Sequence, residues 1–282
     1  MRHKFLVSTA ILLILIGVVG MAAYKFKFQD KYPDHKQTWT LQANELKKLS
    51  ILSDYDMDIS FTTTSSQEGY IEFEGTVHPK VVEHLRNLTF NGPDFSIDLT
   101  PPSTMEFFSV NFTFPKAKII VALPQGAELD NLNVSSYSAH INIEGATSNN
   151  IEVSSLSGDI SVLNITANHL KLDTMSGNIE GDTLTADAEI TSRSGDIDLL
   201  HVQGDAIIDN ASGNISIGQH GVASINAKTL SGDIDITVDP EFNGLYEAHT
   251  LSGSVNVPTS LNEGQQKVIA DSQSGDIDIR LP

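Results

Sequence analysis

Seven short phrases in this chain read Ser-Gly-Asp-Ile or a near copy of it. SGDI starts at Ser157, Ser194, Ser231 and Ser274, SGNI at Ser176 and Ser212, and SGSV at Ser252. A degenerate eighth, SAHI, starts at Ser138. Successive starts lie 19, 19, 18, 18, 19, 21 and 22 residues apart. A period near 20 marks stacked supersecondary units, and it restricts the fold more than any other property of the chain.

Aligned on the Ser, four positions are apolar throughout: six and four before it, three and five after it. One unit places Ile151, Val153, Ile160 and Val162 there, another Ile225, Ala227, Ile234 and Ile236, and Gly181 is the one exception. Alternate residues of two short strands therefore face inward, and the Ser-Gly step turns the chain between them. The bends fall at Gly158, Gly177, Gly195, Gly213, Gly232, Gly253 and Gly275. A residue without Cβ tolerates positive φ and close backbone approach there. Two before each Ser stand Ser136, Ser155, Thr174, Ser192, Asn210, Thr229, Thr250 and Ser272, all able to hydrogen-bond the bend. No unit buries its apolar side chains alone, but a stack does. The expected fold is all-β: a parallel β-solenoid (β-helix), right-handed by default, of about eight coils over residues 127–282.

One outward column has a charge pattern. Two after each Ser stand His140, Asp159, Asn178, Asp196, Asn214, Asp233, Ser254 and Asp276, so that Asp alternates with a neutral residue from Asp159 on. With rungs about 4.8 Å apart, alternation doubles the spacing between carboxylates and roughly halves their repulsion, which reads as a device against stacking like charges within a required turn.

Residues 39–126 lack the period and are read as a β-rich N-terminal cap over the open end of the coils. Strands are expected over Leu49–Phe61, Tyr70–Val77, Phe95–Leu99 and Val110–Leu123, and a short helix over Pro79–Leu88 with Pro in its first turn. Phe107, Phe108, Phe112 and Phe114 are expected to cluster.

Ahead of the cap, Phe5 to Ala23 carries no charge over 19 residues. As a helix it would span about 28 Å, close to a bilayer's hydrocarbon thickness. Residues 5–24 are expected to form one transmembrane signal anchor contacting the lipid bilayer. Arg2 and Lys4 would keep residues 1–4 in the cytoplasm as a short tail. Residues 25–38 read as a juxtamembrane stalk, and the C-terminal domain would lie outside a single-pass cell membrane. Cleavage near Ala22, after Gly20-Met21, would instead release a secreted form.

The 36 acidic and 17 basic side chains leave a net charge of −19. Nucleic acid is excluded as a partner, because its binding needs basic surface. The absence of cysteine excludes disulfides, thiolate metal sites and cysteine nucleophiles.

The run KIIVALPQGAELDNLNVSSYSAHINIEG from Lys118, followed by repeated SGDI, resembles the bacterial "putative adhesin" β-strand-repeat family, a domain of unknown function. With a single N-terminal anchor the chain is also similar to LiaG-like proteins of cell-envelope-stress operons in Gram-positive bacteria. The resemblance implies an exported β-solenoid in the cell envelope, and it supplies no catalytic residues.

The residues offer little catalytic chemistry. Asp54, Asp56 and Asp58 are spaced like the start of a calcium loop, but Ile59 and Ser65 stand where the turn Gly and bidentate Glu belong. A strand with Tyr55, Met57 and Ile59 on its other face accounts for the spacing better. The doublets Asp196/Asp198, Asp233/Asp235 and Asp276/Asp278 put two carboxylates about 7 Å apart on one outward face. They are candidates for weak calcium binding, set against the plainer reading of a solvated acidic wall. Nine scattered histidines show no ligand spacing and read as surface positions. No cofactor is expected.

The sequence thus reads as a non-enzymatic, membrane-anchored envelope protein with an adhesin-like surface for an envelope protein or glycan. Two alternatives stay open. One is a polysaccharide-active β-helix enzyme, although Lys171, Arg193, Lys228, Lys267 and Arg280 form no cluster to hold an acidic glycan. The other is a signalling accessory that senses envelope damage.

Overall fold

The computed structural model describes residues 14–15, 19, 32–42, 45–101, 116–261 and 263–282. In chain order the elements are β1 (Asp34–Leu41), β2 (Lys48–Ser53), β3 (Asp56–Thr64), β4 (Gly69–Thr76), α1 (Pro79–Asn87), β5 (Asp94–Asp98), β6 (Lys116–Pro124), β7 (Leu129–Ser136) and β8 (Ile141–Glu144). They continue as β9 (Thr147–Ser155), β10 (Ile160–Thr174), β11 (Ile179–Ser194), β12 (Ile197–Gln203), β13 (Ala206–Ser212) and β14 (Ile215–Gln219). The last six are β15 (Ile225–Ser231), β16 (Ile234–Thr237), β17 (Leu245–Ser252), β18 (Val255–Asn256), β19 (Lys267–Ser274) and β20 (Ile277–Arg280).

Each bend joins two strands, and each strand pairs in parallel with its equivalent in the next coil. One wall runs β5, β2, β7, β9, the second half of β10, the second half of β11, β13, β15, β19, β17. The other runs β6, β3, β8, the first half of β10, the first half of β11, β12, β14, β16, β20, β18. On the second wall β4 and β1 are added antiparallel beyond β6. The described residues thus contain ten rungs, where the repeat phrases alone indicated about eight.

The two additional rungs lie in the region read as cap. β2 and β3 form a rung in which Leu49, Ile51, Met57 and Ile59 pair with Leu132, Val134, Ile141 and Ile143. Its bend, Ser53-Asp54-Tyr55-Asp56, has no Gly; buried Tyr55 occupies the corner. β5 and β6 make the rung beyond it. The true cover is β4, β1 and α1, which bury Trp39, Val81, Val82 and Leu85. The Trp39 indole donates to the Leu88 carbonyl at 2.8 Å, tying β1 to the end of α1. β1 also takes in residues 34–38, which the sequence reading gave to the stalk.

Chain order and spatial order differ at both ends. β2–β3 comes first in the chain, yet lies between β5–β6 and β7–β8. β19–β20 comes last, yet lies between β15–β16 and β17–β18. Residues between β16 and β19 are therefore an excursion that builds the outermost rung before the chain returns to fill the gap.

The inward columns are buried as their period requires, with Ile160, Ile179, Ile215 and Ile234 fully enclosed. A further column, Ala146, Ile165, Leu184 and Val202, lines the second corner. Gly181 leaves no void: a methyl group there would meet Leu184 Cδ1 at 2.9 Å and Leu199 Cδ2 at 3.0 Å. That second corner turns through positive φ at Gly145, Asn164, Thr183 and His201, each seven after the aligned Ser.

The expected anchor at residues 5–24 falls outside the described residues apart from Ile14, Leu15 and Val19, which are helical. Among the described residues no helix is long and apolar enough to cross a membrane. Phe107, Phe108, Phe112 and Phe114 also lie outside the described residues.

Candidate functional site

The bends align into one edge of the solenoid. A methyl group on Gly195 would overlap the Gly177 carbonyl oxygen, and one on Gly213 that of Gly195. The same contact recurs from Gly158 through Gly177, Gly232 and Gly275 to Gly253, each against the rung before it in space. The buried polar column supports this edge. Asn210 Nδ2 donates to the Gly195 carbonyl at 2.8 Å, Ser272 Oγ to Gly232 at 3.1 Å and Thr250 Oγ1 to Gly275 at 3.0 Å. A buried hydroxyl is tolerated because it finds that acceptor.

Beside the glycines runs an unbroken ladder. His140 N donates to Asp56 Oδ1 (3.0 Å), Asn178 N to Asp159 Oδ1 (2.8 Å) and Asp196 N to Asn178 Oδ1 (2.9 Å). Asn214 N then donates to Asp196 Oδ1 (2.8 Å), Asp233 N to Asn214 Oδ1 (2.9 Å) and Asp276 N to Asp233 Oδ1 (2.7 Å). Ser254 N closes the row on Asp276 Oδ1 at 2.7 Å. His140 Nδ1 serves the Asp159 amide at 3.3 Å in the same way. The column therefore selects residues with an acceptor for the next rung's amide, whether or not they are charged. Ser254 stands on the outermost rung, where no further amide has to be met.

This corrects the reading of strict charge alternation. Alternation holds in space from Asp159 to Asp233, but the next rung carries Asp276, because Ser254 lies beyond it. Two carboxylates are neighbours there. Hydrogen bonds from the Ser254 amide and hydroxyl hold the Asp276 carboxyl below its ordinary range.

The candidate calcium doublets meet different fates. Asp196 serves the ladder, while Asp198 stacks between Glu180 and Ser216 in the adjoining outward column. Asp233/Asp235 and Asp276/Asp278 come onto adjacent rungs and form one patch. Arg280 Nη1 bridges it, 2.7 Å from Asp278 Oδ2 and 3.2 Å from Asp235 Oδ1. That guanidinium, with Asn256 Nδ2 at 2.7 Å, lowers the Asp278 pKa. Among the described residues no group of three or more His, Asp or Glu side chains is arranged to hold a metal ion.

Two features escaped the sequence. His201 Nδ1 lies 2.7 Å from Asp182 Oδ1 on the neighbouring rung, and this contact lowers the Asp182 pKa. An open depression on the second wall is lined by Asp56, Asp58, Lys116, His140, Asp159 and Glu180. It collects residues 124 positions apart in the chain, so no local motif could signal it.

Residues 127–282 hold 23 acidic and 5 basic side chains, a balance of −18. Stacked parallel coils with such outward columns define an acidic β-solenoid. The chain belongs to the Toastrack DUF4097 family, whose profile matches residues 46–280. No curated protein matches it. Among solved structures it is similar to a "putative cell adhesion protein" from Clostridium sporogenes at 11% identity and TM-score 0.32, covering 89% of this chain and 100% of that one. A "putative adhesin" from Bacteroides fragilis matches at 16% identity and TM-score 0.39, with coverage of 89% and 100%. A "putative lipid binding protein" from Parabacteroides distasonis matches at 12% and 0.34, with coverage of 86% and 96%. Likenesses this distant carry no function across.

Proposed function

We propose that the protein is a non-enzymatic, membrane-anchored solenoid of the bacterial cell envelope, exposed outside the cell. Its acidic walls act as an adhesin-like surface for an envelope protein or glycan. The observation that carries this reading is the set of outward columns, repeated at one rung spacing along the whole stack. Repeated faces of this kind suit extended partners with their own periodicity. The balance of −18 over residues 127–282 favours neutral or cationic partners and repels polyanions.

The polysaccharide-active alternative would have to use the open depression, where Asp56, Asp159 and Glu180 stand near Lys116. A glycan array with the purified protein separates the two readings. Polysaccharide bound and recovered intact supports the adhesin-like surface, and shortened product supports the enzyme. Recovery of the chain in the soluble fraction, shortened near Ala22, would overturn the anchor. The signalling-accessory reading predicts instead that deletion alters the response to cell-wall antibiotics without loss of adhesion.

A further inference from the structure

The two ends of the solenoid are finished differently. At the N-terminal end β4, β1 and α1 bury the inward side chains, although β1 itself pairs only with β4 among the described residues. At the other end the rung β17–β18 is paired on one side only among the described residues. Its inward residues are left open: Val255 is 42% exposed and Val257 40%, while Ile277 and Ile279, one rung in, are each 1% exposed. Leu251 is 86% exposed and Leu261 64%. Tyr246 and Ala248 are half-buried.

The exposed strands are self-complementary. Residues 245–251 read Leu-Tyr-Glu-Ala-His-Thr-Leu. Antiparallel pairing with a second copy about Ala248 sets Glu247 opposite His249 twice, and Leu245 opposite Leu251 twice. In such a pair directly opposed side chains share a face and interact. β18 and the next residue read Val-Asn-Val, and pairing about Asn256 sets Val255 opposite Val257. Ala248 is four residues before Ser252 and Asn256 four after it, so the two pairing centres lie equally far along the chain from the bend, as a single two-fold axis requires.

We propose that this end docks a second copy of the chain, tail to tail, with β17 and β18 each extending its wall across the two-fold. Because the same strands pair with themselves about a two-fold, the contact is isologous and closes at a dimer instead of growing into a fibre. The loop after β18 sets a threshold: Ser260 Oγ accepts the outward Tyr246 amide at 3.0 Å, and pairing displaces it. β1 lies at the far end of each stack, so the dimer carries its two N-terminal strands at its extremities. Where the adhesin-like reading holds, the partner across facing surfaces is another copy.

Sedimentation equilibrium of the purified full chain tests this. A monomer–dimer equilibrium is expected, strengthened by added salt because two chains of net charge −19 repel. His249→Glu, at an exposed position, sets Glu opposite Glu and weakens the dimer about fivefold. Adding Glu247→Lys to it restores the pairing. Ser260→Ala frees the edge and raises the dimer fraction, which a merely structural role for Ser260 would not do. A monomer at every concentration, or a dimer indifferent to these variants, overturns the proposal and leaves the glycan-array result untouched.

Discussion

The Asp276 amide donates to Asp233 Oδ1 at 2.7 Å across 43 residues of chain. The rung that intervenes in sequence, β17–β18, lies outside both. If Asp233 acts mainly as an acceptor for that amide, Asp233→Asn keeps the bond and eases repulsion from the adjacent Asp276 carboxylate. Its thermal midpoint should equal or exceed that of the parent, most visibly at low salt. Asp233→Ala leaves the amide to water and should cost about 1 kcal/mol in chemical denaturation.

Gly195→Ala should be far more damaging than its chemistry suggests. The added methyl overlaps the Gly177 carbonyl oxygen, and φ is 148°. Nothing flexible can yield, so a loss of about 3 kcal/mol or more is expected. Gly92→Ala is the control. Its φ is also positive, at 108°, but a methyl there meets nothing within 4 Å, and the cost should stay near 1 kcal/mol. Urea midpoints of the two variants compare them directly.

Thr183 is β-branched and sits at φ 56°, where Gly145 occupies the same place in its own coil. L-residues avoid this region by roughly 1–2 kcal/mol. Thr183→Gly relieves that strain at some loss of chain stiffness, for a net gain of about 0.5–1 kcal/mol. A raised melting midpoint is expected, and a lowered one would show that the Thr183 hydroxyl bond to Asp182 matters more.

Two groups of carboxylates should respond to pH with opposite sign. Asp182, Asp239 and Asp276 have folded pKa values below their unfolded ones, through the His201 contact, the Glu241 and Gly221 amides, and the Ser254 bonds respectively. Their stabilisation is present above the unfolded pKa, near 4, and is lost as pH falls through the lower folded values. Asp54 is the reverse: burial and the neighbouring Asp98 carboxylate raise its pKa. Its charged form opposes folding at neutral pH, so Asp54→Asn should stabilise at pH 7 and have less effect at pH 3. Equal effects at both would refute the assignment.

Much of this architecture was readable from residue types alone. The inward columns, the glycine edge and the buried hydroxyl column obey a period that any stack must keep. The order of the last two rungs was not readable. Tyr246, Ala248, Val255 and Val257 suit the same columns as Val268, Ala270, Ile277 and Ile279, so either rung fits either slot. The one signal was length: steps of 21 and 22 residues where the others are 18 or 19, the surplus carrying the chain past a rung and back. The β2–β3 rung stayed hidden for a local reason. Its bend is filled by Tyr55 instead of opened by Gly, and its chain neighbours, β4 and α1, interrupt the period.

The stacking order is tested most directly by thiol proximity in this cysteine-free chain. Lys228, Asp271 and His249 share one outward column on successive rungs, with Lys228 paired to Asp271 and Asp271 to His249. Adjacent rungs lie about 4.8 Å apart and alternate ones about twice that. With a short bis-thiol reagent, Lys228→Cys combined with Asp271→Cys should cross-link readily, and Lys228→Cys combined with His249→Cys should not. Efficient cross-linking of the second pair and none of the first would mean that the coils stack in chain order, contradicting the fold described above.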